Sequence, residues 1–389
     1  MKVLRLPRAK VQLGNPLPWN VRDETGKLLL SKGFVVDTEN QLNQLLERGA
    51  FVDMEEAKAY ELSRLGAAAP PPPQRMLVIP PNLFGQWDKT AEELRVLLSH
   101  LDNKPAFLAD LDAFANHIIT LLDTNLDVGI FRAVRQENQA LFYYGYTHAI
   151  HTGVLGVLLG RHLKWSNERV MTLLKAALTM NTSIVDLQGQ MAGQDFPMRD
   201  RQRAEIQGHP QKTADILMGL GVTDPQWLIA IRQHHERSDG TGYPLKTNDI
   251  SEMAQALRVC DVLLSKTTPR VLRPAVSPQE AVRDLFREDK GGVMSSAIIK
   301  EFGIYPPGDY VKLASGELAV VVLRTENAKA PIVASITDTS GSPISKTLRR
   351  DTSQAGYAIT GVHTDKALLK RLPPERLYGL SNAPVGHPS

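Results

Sequence analysis

The stretch from Ile231 to Pro244 reads IRQHHERSDGTGYP, and its side chains are well suited to chemistry. His234 and His235 close an apolar helical pattern; Glu236, Asp239-Gly240 and Gly242-Tyr243-Pro244 follow. Imidazole binds divalent metals, and adjacent side chains on a helix point about a quarter turn apart. The pair can therefore serve two ions, or one ion and one group behind it. Gly240 and Gly242 suit a loop that needs positive φ or close backbone approach to a ligand. A histidine taken singly is more often structural than a ligand, so the chemistry rests on the whole string.

In this order the residues closely resemble the HHExxDGxGYP signature of the HD-GYP family, bacterial phosphodiesterases that hydrolyse cyclic di-GMP. The resemblance covers residues 138–308 firmly and the flanks loosely. It implies metal-assisted hydrolysis, in which two or three ions hold the phosphate and lower the pKa of a bound water. The family string AALLHDIGK is matched by AALTMNTSI, Ala176 to Ile184. That places Met180 at a ligand histidine, Asn181 at the bridging aspartate and Ile184 at a lysine that contacts phosphate. Methionine is a poor ligand for hard cations, and asparagine supplies no bridging negative charge. The other implied ligands are kept: His148 in YTHAIHT, His209 of the His-Pro pair, His234, His235, and Asp261 in RVCDVLL. Five positions suffice for one divalent metal, iron, manganese or another; the alternative is no metal at all.

On the substrate side, TTPRVLR matches the family's TSxRPYR, so Arg270 and Arg273 stand where phosphates of cyclic di-GMP are gripped. The planar guanidinium fork suits two phosphate oxygens at once. Leu272 replaces the family's tyrosine between them, and Ser238 replaces a tryptophan before Asp239. Each residue also has a plainer reading. His148 fits an aromatic cluster with Tyr144 and Tyr146, Asp261 fits a pair with Arg258, and the two arginines fit an exposed loop.

The elements that must position these groups form a mainly α, multidomain pattern. Residues 1–64 read as a small α+β module. Within it Asp23–Gly26 is a turn, Leu28–Leu30 a strand, and Asp37-Thr38 opens a helix with Leu42, Leu45 and Leu46 on one face. Residues 65–80 contain four consecutive prolines and read as an extended linker. Residues 81–303 read as a helical HD-GYP domain with its core at 138–303. Helical spacing covers Lys89–Leu101, Phe107–Leu122, Arg169–Thr179, Arg201–Gly208, Thr213–Leu220 and Pro225–His235. Residues 304–380 turn β-rich, with Tyr310–Leu313 and Leu318–Leu323 as a hairpin about Ser315-Gly316 and Ile332–Thr337 as a further strand. Residues 381–389 are a tail.

The formal net charge of +3 is too small to argue for nucleic acid or a membrane surface, so no nucleic-acid partner is expected, and no apolar run reaches the length of a membrane span. Cys260 is the lone cysteine, which excludes a disulfide framework. With no signal-peptide core at the start, a cytoplasmic protein is expected. Three functions compete. One is a degenerate, non-catalytic HD-GYP signalling protein that binds cyclic di-GMP or a protein partner, such as a diguanylate cyclase, through the GYP loop. Another is a metal-dependent cyclic di-GMP phosphodiesterase with a reduced or altered metal site. The third is a structural scaffold that binds neither. A dimer fits any of them.

Overall fold

The computed structural model describes residues 3–6, 8, 11–53, 56, 83–99, 101, 106–135, 141–364 and 372–379, and the chain divides into two units, Met1–Leu77 and Val78–Ser389. The Pro-rich stretch 65–80 and the tail 381–389 lie outside the described residues. In the first unit, β1 (Val3–Arg5), β2 (Val21–Arg22), β3 (Leu28–Leu30) and β4 (Phe51–Asp53) form an antiparallel sheet in the order β1-β4-β2-β3. The expected turn lies between β2 and β3, where Asp23 accepts from the amides of Thr25 and Lys27 and Gly26 takes a φ of 89°. Helix α1 (Glu39–Glu47) starts at a capping box made by Thr38 and Gln41, and its Leu42 and Leu45 share a small core with Trp19, Val21 and Val52.

The second unit is a helical bundle: α2 (Leu83–Leu98), α3 (Phe107–Thr124), α4 (Leu126–Arg135), α5 (Tyr144–His162), α6 (Asn167–Thr179), α7 (Val185–Gly193), α8 (Asp200–Gly219), α9 (Pro225–Gln233), α10 (Glu252–Thr267), α11 (Pro278–Glu288) and α12 (Val293–Phe302). Helix α5 is buried on every side, as an all-round apolar helix must be. A Cβ on its Gly153 would lie 2.6 Å from Leu174, so glycine is what lets α6 pack this close. Consequently the polar residues Thr147, His148, His151 and Thr152 of α5 face the interior. Ser166, Asp224, Ser251 and Ser277 cap the N-termini of α6, α9, α10 and α11. The segments Arg201–Gly208 and Thr213–Leu220, expected as separate helices, are one continuous α8 that carries Pro210 inside it. The stretch Asn167–Gly193 is apolar and long enough to cross a membrane by composition, but 67% of its apolar 18-residue window is buried within the protein.

Strands β5 (Tyr310–Leu313), β6 (Leu318–Leu323), β7 (Ile332–Thr337), β8 (Pro343–Asp351) and β9 (Ile359–Val362) make a second antiparallel sheet, in the order β8-β7-β6-β5-β9. Val320, Val322, Ala334 and Ile336 join the helical core, while Val311, Leu313, Val321 and Val333 form a smaller core on the opposite face. Arg324 fastens the sheet to the bundle by bonding Asp127 at 2.6 Å and the Glu301 carbonyl. A last short helix, α13 (Pro374–Leu377), carries Leu377 into the main core.

Candidate metal and phosphate site

His209 owes its orientation to the proline that follows it. Pro210 has no N–H, so the Ile206 carbonyl loses its usual helical donor. The Nδ1 of His209 lies 2.6 Å from that carbonyl. A carbonyl only accepts, so Nδ1 carries the proton and Nε2 keeps its lone pair. At the C-terminal end of α9 the same device recurs: His234 Nδ1 lies 2.6 Å from the Ile231 carbonyl. The two lone-pair nitrogens, Nε2 of His209 and Nε2 of His234, then face each other at 3.2 Å. With both Nδ1 atoms protonated, the neutral rings leave no proton between these acceptors, so the pair calls for a cation. Two nitrogens bound to one ion at roughly 2.0–2.1 Å with a tetrahedral angle are about 3.3 Å apart, so the donor set fits a divalent metal.

His235 completes the cluster, in which one ligand atom from each of the three histidines lies within 4.8 Å of the others. The expected quarter-turn divergence of His234 and His235 is not found. His234 is the C-cap of α9, the two ring centroids are 4.1 Å apart, and each lies 5.1 Å from that of His209. Helical spacing ends at Gln233, and with it the angle it dictates. The pair serves one cluster.

The loop after the histidines is built around a residue to which the sequence pattern assigned no role. Glu236 is fully buried, and its carboxylate accepts from the amides of Leu245, Lys246 and Thr247 at 2.6, 3.2 and 3.2 Å. Gly242 sits so close to the chain that a Cβ would lie 2.4 Å from Glu236 Cα, and Gly240 takes a φ of 72°. Asp239 holds the turn through the Thr241 amide and hydroxyl at 3.0 and 2.6 Å. Tyr243, half-buried, stacks on His235 with centroids 4.6 Å apart, and its neighbour Pro244 is also half-buried.

Behind the cluster runs a second polar chain. Asp261 on α10 bonds His148 Nε2 at 2.6 Å and places its other oxygen 3.9 Å from His235 Nδ1. The carboxylate partner nearest Arg258 is instead Glu288, at 3.6 Å. Tyr144 stacks face to face on His148, with centroids 5.7 Å apart and planes 7° apart, while Tyr146 turns away to Asp186. Arg270 then donates to the Tyr144 hydroxyl from Nε at 3.0 Å and Nη2 at 2.5 Å. Arg273 is exposed and donates to the Ser265 carbonyl. Glu236 lies within the signature without an assigned role and Tyr144 was read only as an aromatic neighbour of His148; here the first organises the loop and the second holds Arg270.

The last corner is of a different character. Met180 is fully buried within the hydrophobic core, and Ile184 is buried beside the same turn. Asn181 is also buried, and its Oδ1 has no hydrogen-bond partner among the described residues. Hydroxyls stitch this corner together: Ser183 to Thr213 at 2.9 Å, and Trp227 Nε1 to Thr179 at 3.1 Å.

Burial sets the electrostatics. It pushes His209 down to about 3, aided by His234 and opposed by the Ile206 carbonyl and Asp261. Burial also lowers His234, and lowers His235 well below the usual imidazole range. All three imidazoles are therefore neutral near pH 7, the form that binds metal. Burial pushes Asp261 up, but the His148 hydrogen bond and the neighbouring histidines outweigh it and hold the carboxyl well below its ordinary value. The result is one anionic carboxylate beside three neutral nitrogens.

Residues 140–291 match the family model described as HD domain. Over 184 residues, 46% of this chain, the sequence is 30% identical to the cyclic di-GMP phosphodiesterase PA4108 of Pseudomonas aeruginosa. The chain spans 44% of that relative's length. Among solved structures, Bd1817, an HDG"Y"P protein from Bdellovibrio bacteriovorus, matches with a TM-score of 0.41 and 14% identity, over 76% of this chain and 97% of that one.

Proposed function

We propose, from the premise that this chain belongs to the HD-GYP family, that it is a non-catalytic signalling protein of cyclic di-GMP pathways. It binds the nucleotide through Arg270 and Arg273, a protein partner such as a diguanylate cyclase through the GYP loop, or both. The observation that carries this reading is the burial of Met180 in the hydrophobic core beside a neutral Asn181. A second ion in the site would need negative charge between the two cations, because they repel strongly at a separation of a few ångströms. The residues at this corner supply none.

The facing lone pairs of His209 and His234 favour a second reading, in which one divalent ion is held by His209, His234, His235 and Asp261 and slow phosphodiester hydrolysis persists. When bound, such an ion supplies Lewis acidity to a water or a phosphate oxygen. His148 holds Asp261 in its ionised form, and the two backbone carbonyls hold the imidazoles in the ligating tautomer. Elemental analysis of the purified protein, combined with a cyclic di-GMP titration and a hydrolysis assay with manganese or iron, separates the two. Binding with at most one metal per chain and no turnover supports the first reading. Robust turnover that survives removal of contaminating enzyme promotes the second. The protein is proposed to act in the cytoplasm.

A further inference from the structure

Arg270 and Arg273 sit side by side, joined by paired backbone hydrogen bonds of 2.8 and 3.1 Å. Among the described residues neither is in an ion pair with a carboxylate, whereas Arg161, Arg169, Arg324 and Arg350 each hold an aspartate or glutamate. What Arg270 holds is a neutral phenol. Its Nε and Nη2, the edge whose two parallel donors match two oxygens of a phosphate, both converge on the Tyr144 hydroxyl. One oxygen takes both bonds, so the fork is filled but poorly matched. Burial keeps the phenol protonated by raising its pKa.

We propose that Tyr144 is a placeholder for phosphate: its hydroxyl occupies the guanidinium edge that an incoming phosphate must take, and anion binding displaces it. The proposal rests on the reading of Arg270 as part of the phosphate grip. Displacement has a consequence inside the site, because Tyr144 is stacked on His148, which in turn bonds Asp261. Occupancy of the arginine is thereby coupled to the carboxylate beside the histidine cluster, which makes Tyr144 a positioning residue that sets anion affinity.

Tyr144→Phe keeps the stacked ring and removes only the competing hydroxyl. The rate at which p-hydroxyphenylglyoxal modifies Arg270, read by peptide mass spectrometry, is measured with pyrophosphate and with cyclic di-GMP as protecting anions. Arg270 is expected to react faster in the variant, and both anions to protect it at roughly three- to ten-fold lower concentration, the size of one ordinary net hydrogen bond. A purely structural tyrosine would give weaker protection instead. In the unmodified protein, pyrophosphate is expected to shift the ring resonances of His148, a readout that needs no variant. Protection by pyrophosphate but not by cyclic di-GMP would end the nucleotide reading and leave the placeholder standing. Unchanged reactivity in Tyr144→Phe, or no protection by either anion in either protein, overturns the proposal.

Discussion

Where α8 meets the end of α9, three imidazoles converge; where α6 ends, beside them, Met180, Asn181 and Ile184 are buried. The two corners touch, since the Ser183 hydroxyl reaches the His209 carbonyl at 3.4 Å, yet they are held by separate means. Each imidazole pair member is oriented by a carbonyl three residues back in its own chain, and the loop by Glu236. The other corner is held by apolar packing and by hydroxyl bonds to Thr213 and Trp227. A nitrogen-rich half-site can therefore stand whatever occupies the end of α6, because none of its orienting bonds passes through that end.

The largest effect that tests this separation is loss of a nitrogen ligand. His209→Ala or His234→Ala is expected to lower divalent-metal affinity by on the order of 100-fold or more, measured by calorimetry and elemental analysis. Met180→Ala should leave metal content unchanged while costing about 2–5 kcal/mol of stability through the cavity it opens. Equal loss of metal in Met180→Ala would show that the corners are one unit.

Next in size is Glu236→Ala, which removes the buried acceptor of three part-buried backbone donors and should cost about 1.5–3 kcal/mol in chemical denaturation. Amide exchange should quicken at Leu245, Lys246 and Thr247. A silent variant would mean that the loop is not organised from within.

A smaller effect is expected from supplying what the apolar corner lacks. Met180→His with Asn181→Asp should raise metal affinity roughly ten-fold and move stoichiometry from one ion toward two, with Ile184 still limiting turnover. Wild-type stoichiometry retained in the double variant would show that the corner's packing, and not its residue types, excludes a second ion.

The last concerns acid. Burial holds His151 on α5 at about 3 against an ordinary 6.5. Between those values the unfolded chain binds a proton that the native state refuses, so stability falls as pH drops through this window. One such group contributes a slope of at most about 1.4 kcal/mol per pH unit. His151→Asn should flatten the slope measured by denaturation between pH 6.5 and 4. An unaltered slope would place the acid sensitivity in the histidine cluster instead.

Much of the bundle was legible from periodicity: α6, α9, β5, β6 and β7 fall where apolar spacing and turn residues place them. As separate elements, α4, α7, α10, α11, α12, β8 and β9 were not foreseen. β8 is largely exposed and carries Lys346, Arg349 and Arg350, so no alternating apolar pattern marks it. Apolar spacing places two helices, Arg201–Gly208 and Thr213–Leu220, on either side of Pro210. In the fold the chain continues, and a histidine side chain takes up the carbonyl the proline abandons.

What the sequence determined by itself is the local part of the site. The His-Pro pair, the two glycines, Glu236 and Asp239 act on atoms within about a dozen positions of themselves, so residue type and spacing are enough to specify their geometry. What only the tertiary structure decided is which of these groups meet. His209 faces His234 across 25 residues, His148 holds Asp261 across 113, and Arg270 grips Tyr144 across 126. Those encounters depend on how α5, α8, α9 and α10 pack, and packing is settled by apolar surface buried along whole helices, which no short motif records.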